Sequence, residues 1–228
     1  MTHYETVGAL AAVVFVIALS GASAQTPPSQ AQIASFGGLH RAAHDGDVAA
    51  ITRLVSNGAD LESRDEAGRT PVHIAAFASN DDALEALAEA GADMNATENQ
   101  DYDAVTIAAV ANDPEFLSLA LRLGNRADLV TSPYEGTALI AAAHLGHHEV
   151  VRRLIAAGAP LDHVNNLGWT ALIEAVILGD GCPDQVATVK ALVEAGADTS
   201  IADRRGTTPL QHALSSGYEE IADLIRTK

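Results

Sequence analysis

Three histidines fall within five residues, at His144, His147 and His148. Neutral imidazole is a good ligand for zinc and related ions, so this cluster is the chain's candidate for metal chemistry. The rest of a metalloenzyme signature is missing. His148-Glu149 runs into Val150-Val151, so no His-Glu-x-x-His sets a second imidazole one helical turn further on. The single cysteine, Cys182, sits in the turn Gly179-Asp180-Gly181-Cys182-Pro183 with no histidine close in sequence to take its proton. It reads either as an exposed loop thiol or as half of an intermolecular disulfide. No Gly-x-Ser-x-Gly elbow occurs, and Gly37-Gly38 lacks the remainder of a phosphate-binding loop. The carboxylate pairs Asp81-Asp82 and Glu219-Glu220 lie where helices should begin, and negative charge there favours the helix macrodipole. Asn95-Ala96-Thr97 is an isolated glycosylation sequon. No catalytic residue, metal-ligand set or cofactor is assigned on this basis, and the chain is not expected to be an enzyme. The alternative kept open is a metal-binding or enzymatic accessory protein using His144, His147 and His148.

The framework that would hold any site has its own signature. The 228 residues carry 13 Lys+Arg against 30 Asp+Glu, a formal charge of −17. Such a balance argues against nucleic acid, which needs a basic face over phosphates, and against docking on an anionic membrane surface. One cysteine excludes an internal disulfide framework and a cysteine-rich zinc site. Aromatics make up only 4% of the chain while alanine is abundant, which points to thin helices packed closely.

The first 35 residues read differently from the rest. Val7 to Leu19 is an apolar run of 13, followed by Ala22-Ser23-Ala24. That is short for a membrane span, which takes roughly 20 residues, and a small-x-small triplet behind it is how a secretory signal peptide ends. Residues 1–24 are therefore expected to be a signal peptide cleaved before Gln25, with a periplasmic or secreted product. The leader departs from the pattern in having no Lys or Arg, and an uncleaved signal anchor is the other reading. Gln25 to Ser35, with Pro27-Pro28, is expected to be a short polar tether.

From Phe36 onward the chain repeats itself. Gly58-Ala59-Asp60, Gly91-Ala92-Asp93, Gly124 to Asp128, Gly158-Ala159-Pro160 and Gly196-Ala197-Asp198 place their glycines 33, 33, 34 and 38 residues apart. A second phase agrees, in Thr70-Pro71-Val72-His73, Thr137-Ala138-Leu139, Thr170-Ala171-Leu172 and Thr208-Pro209-Leu210. These motifs at this period resemble the ankyrin repeat family over residues 36–228. The run Gly168 to Ala175 is similar, more narrowly, to exported bacterial members. The resemblance implies an all-α solenoid of stacked helix-turn-helix units with projecting β-turns: about five repeats and a terminal half repeat from Thr208. Thr-Pro would start each first helix, the alanine pairs would keep it thin, and glycine would end the second helix in a left-handed conformation. Repeat three departs by the extra Asn125-Arg126 and by starting on Asp103-Ala104; repeat five carries the extra residues 179–183. The resemblance also implies structural roles for His40, His73 and His147, as bonds between loops.

Ankyrin proteins act mainly by binding partners through turn tips and the exposed side of the first helices. The positions so implied carry apolar and aromatic residues where a solvated surface would carry polar ones: Phe77, Tyr102, Val110, Tyr134, Leu145, Trp169 and Ile177, with His144 beside them. Packing against the neighbouring repeat is the competing role for Val110, Leu145 and Ile177. The expected function is binding of another protein, as scaffold, inhibitor or immunity-like protein, by a monomer that does not use nucleic acid or, after cleavage, a membrane.

Overall fold

The computed structural model describes residues 25–227, and the expected leader over 1–24 lies outside them. Among the described residues thirteen α-helices follow one another. After a short α1 (Gln30–Ser35) they come as antiparallel pairs: α2 (Gly38–Asp45) with α3 (Val48–Ser56), α4 (Pro71–Ala78) with α5 (Asp81–Glu89), and α6 (Ala104–Ala111) with α7 (Pro114–Arg122). Then come α8 (Ala138–His144) with α9 (His148–Ala156), α10 (Ala171–Ile177) with α11 (Pro183–Ala195), and α12 (Pro209–Ser216) with α13 (Glu219–Arg226). The first helices of the pairs form one layer and the second helices the other, each packing on its counterpart in the next pair. Extended pairing among the described residues is limited to one isolated bridge, Val130 with Thr137. No helix among them is long and apolar enough to cross a membrane.

The sequence explains each piece. Thr137 and Thr170 accept from the amides of Ile140 and Ile173 and so start α8 and α10, while Asp103 does the same for Thr106 at α6. Proline stands at the first turn of α4 and α12, where its missing N–H costs nothing. Ala75, Ala76, Ala108, Ala109, Ala142 and Ala143 are buried, and their small size lets inner helices approach closely enough to bury Ile51, Leu84, Phe116, Leu154 and Leu192 behind them. Gly158 ends the second helix of its pair at φ +83°, with open space where a Cβ would go. The requirement for glycine there is purely conformational.

Two expectations change. Gln30–Ser35, expected within a polar tether, is a helix with a Ser29/Gln32 capping box, and Arg41 Nη2 donates to the Ile33 carbonyl at 2.5 Å to hold it on α2. Its short apolar content hid it, since only the cap signals a helix so brief. The terminal segment expected as a half repeat contains both of its helices, α12 and α13. The two irregular repeats also acquire reasons. Asn125 is buried, accepts from the Val105 amide at 3.2 Å and donates to Asp103 at 2.8 Å, so the extra residue braces the helix start that lacks Thr-Pro. Residues 179–182 form a loop whose Gly179 carbonyl accepts from Tyr218 Oη at 2.9 Å, and α11 behind it is a thirteen-residue helix where α3, α5, α7 and α9 have nine.

Candidate protein-binding groove

Helices α4, α6, α10 and α12 each start from a turn organised by the residue five before the N-cap. Asp65 Oδ1 accepts from the amides of Ala67 and Arg69, and Asp203 Oδ1 from those of Arg205 and Thr207. Glu98 Oε1 takes the amides of Gln100 and Tyr102, and Asn165 Oδ1 those of Leu167 and Trp169. Short polar side chains suit this because they can mimic a backbone turn. The second polar atom of three of these side chains makes a further bond: Asp65 Oδ2 accepts from Arg69 Nε at 2.7 Å within the turn, and Asp203 Oδ2 from His212 Nε2 on α12 at 3.0 Å. Asn165 instead donates, its Nδ2 lying 2.8 Å from Glu174 Oε1.

Histidines lock successive turns together. His40 Nε2–H donates to the Arg69 carbonyl at 2.9 Å, and His73 Nε2–H to the Tyr102 carbonyl at 3.1 Å. His73 Nδ1 accepts from the Thr70 amide at 3.1 Å, so the buried ring is neutral and both nitrogens are used. Desolvation pushes its pKa down to about 4. Burial raises Glu98 above the usual carboxylate range, against the pull of the Tyr102 and Gln100 amides, and burial likewise raises Asp103.

The sequence-derived candidates separate on this frame. Tyr102 is buried at 8% exposure within the hydrophobic core, so its ring is a packing element rather than an exposed turn tip; the turn folds back onto the inner helices and takes the ring with it. Phe77, Val110, Tyr134, Trp169 and Ile177 are half-buried, and Phe77 also lies under the Arg69 guanidinium, 6.0 Å from ring centroid to Cζ. Leu145 is 46% exposed and His144 is exposed. The positions seven residues past the N-cap, His44, Phe77, Val110, His144, Ile177 and Ser215, form one row along the inner layer.

His144, His147 and His148 do not converge. Nδ1 of His144 meets Glu174 at 3.1 Å, that of His147 the Ala109 carbonyl at 2.9 Å, and that of His148 Asp184 at 3.5 Å. Among the described residues no group of three or more His, Cys, Asp or Glu side chains is placed to hold a metal. Cys182 is a free, half-buried thiol at the head of α11, its amide donating to Asp180. Residues the sequence reading passed over are Glu174, Asn165 and the exposed Val130, Val164, Leu167 and Leu178. Setting the repeats in register puts Glu174, four past its N-cap, level with the buried Ile74 and Ile107 but also with Arg41 and His212, so the position carries a mixed signal.

The family profile described as ankyrin repeats, in three copies, matches residues 29–98 and 105–203. The chain belongs to the ankyrin repeat family. Among ankyrin relatives, the putative ankyrin repeat protein YahD of Escherichia coli K12 is 32% identical over 185 residues, spanning 81% of this chain and 92% of YahD. An ankyrin repeat domain from Acinetobacter baumannii AYE is 44% identical with a TM-score of 0.78, over 83% of this chain and 96% of that one. A chain in the complex of the predatory endopeptidase Bd0816 of Bdellovibrio bacteriovorus with immunity protein Bd3460 is 25% identical, TM-score 0.70, over 85% of this chain and 99% of that one. The ankyrin scaffold is suited to protein–protein interaction, and the rows of side chains above are the surface it offers.

Proposed function

We propose that this is an exported binding module that holds another protein in the groove between its turns and inner helices, centred on repeats four and five. The observation that carries the reading is a concentration of exposed apolar side chains. Five of the seven large exposed hydrophobics among the described residues, Val130, Leu145, Val164, Leu167 and Leu178, fall between residues 130 and 178, next to half-buried Trp169 and Ile177. Apolar area of this kind, left on the rim of a rigid array, marks an interface. Pre-organisation adds to it, because a groove braced by His73, His147 and Asn125 loses little freedom on binding.

Export rests on the apolar run from Val7 and the Ala22-Ser23-Ala24 triplet. The similarity to a chain in an endopeptidase–immunity complex favours an inhibitory or immunity-like role over a passive scaffold. Affinity capture from an exported fraction, with the wild-type chain and a Leu145→Gln/Leu178→Gln variant as baits, tests the groove. N-terminal sequencing of the mature protein tests the leader, with Gln25 the expected first residue. A partner caught equally by both baits would move the interface elsewhere.

A further inference from the structure

Glu174 is a nearly buried carboxylate on α10, as Glu98 and Asp103 are in the turn and helix start of α6. Glu174 is 5% exposed and stands in a register that holds Ile74, Ile107 and Ala141 in α4, α6 and α8, and Arg41 and His212 in α2 and α12. An apolar residue would serve packing better there, because a buried charge costs stability unless compensated. Each of its two carboxylate oxygens has one partner. Asn165 gives Glu174 a neutral donor at 2.8 Å, and the sole ion-pair contact is His144 Nδ1 at 3.1 Å from a ring whose side chain is 43% exposed. One neighbour in the same repeat differs from its equivalents elsewhere in the array. Asn165 replaces the acid found at this place in Asp65, Glu98 and Asp203. Trp169, half-buried, occupies the position before the N-cap of α10.

We infer that Glu174 is the anchor of a subsite for a lysine or arginine side chain of the protein partner. The cation displaces the His144 ring from the Glu174 carboxylate, its aliphatic stem lies along Trp169, and Leu145 and Leu178 flank the entrance. Charge complementarity points the same way, since the chain carries −17 overall. The indole face and a carboxylate together recognise a cation with an apolar stem, and they disfavour an anion.

This inference rests on the groove reading of the proposed function, and its test separates the two. Trp169 is the chain's one tryptophan and reports directly. The full chain is titrated with acetyl-Gly-Arg-Gly-amide, acetyl-Gly-Lys-Gly-amide and the citrulline counterpart of the first, reading Trp169 fluorescence. A saturable change with the basic peptides is expected, at least tenfold weaker with citrulline and in Glu174→Gln, and equal or tighter in His144→Ala. Circular dichroism of both variants should match wild type. No saturable change, or equal affinity in Glu174→Gln, overturns the subsite. If a partner is lost on Leu145→Gln/Leu178→Gln but held with unchanged affinity by Glu174→Gln, the subsite fails while the groove stands. If basic peptides bind through Glu174 while the partner ignores the leucine changes, the subsite stands and the wider groove fails.

Discussion

Glu174 and His144 meet at 3.1 Å across the boundary between two repeats, a nearly buried carboxylate covered by an exposed imidazole. Neither residue belongs to the structural histidine network of His40, His73 and His147, whose bonds end on backbone carbonyls. His144 belongs to the row of side chains seven past the N-cap, and Glu174 lies three residues before that row's Ile177 on α10.

The neutral donor at residue 165 is what makes Glu174 tolerable. Asn165→Asp would set a second carboxylate 2.8 Å from Glu174 Oε1. We expect a loss of about 2–4 kcal/mol at neutral pH. Like charges raise the folded-state pKa of one partner, so this penalty is present at high pH and shrinks as pH falls through that raised value. Urea unfolding of variant and wild type at pH 7.5 and pH 4.5 measures both the loss and its relief.

His73 gives stability an acid-side slope of the opposite sense. Its folded pKa of about 4 lies below the ordinary 6.5, so the unfolded chain takes up the proton first. The contribution of the neutral ring is complete above about pH 6.5 and is lost as pH falls toward 4, about 2–3 kcal/mol by pH 4.5. Asp103 and Glu98, raised by burial, work the other way over the acid range. The quantity to measure is thus the difference between wild type and His73→Gln, which should narrow by that amount between pH 7.5 and pH 4.5.

Tyr102 and Trp169 should separate under substitution. Tyr102→Ala removes a core ring and is expected to cost about 2–4 kcal/mol. Trp169→Ala, from a half-buried site, should cost less and weaken partner binding. Thermal unfolding of the two single variants checks this; a larger loss for Trp169→Ala would assign that ring to packing.

Gly158→Val tests the backbone alone. With φ at +83° and no atom within 4 Å of a built Cβ, any loss comes from forcing a β-branched residue into the left-handed region. About 1–2 kcal/mol is expected, and Gly158→Ala should cost less than Gly158→Val.

The scaffold was legible because its signals are local and periodic. Thr70-Pro71, the alanine pairs and the glycines each do one job at one spacing, and the helices begin and end where those residues stand. The short α1 was missed because six residues cannot show a period. The groove was legible only as a set of positions. Which of them are exposed depends on how far each turn folds back, so Tyr102 and Trp169, equivalent in sequence, differ in burial. Glu174 was hidden because a glutamate on a helix usually points to water. Its register did not reveal it, because the equivalent positions hold Ile74, Ile107 and Ala141 but also Arg41 and His212.

The groove claim is tested most directly by affinity capture from the exported fraction with three baits, read by mass spectrometry. These are the wild-type chain, Leu145→Gln/Leu178→Gln on the inner layer, and Thr52→Asp on the exposed side of α3. A groove binder predicts a protein retained by wild type and by Thr52→Asp but lost from the double leucine variant, with all three chains equally folded. The same proteins on all three baits, or loss with Thr52→Asp alone, would contradict it.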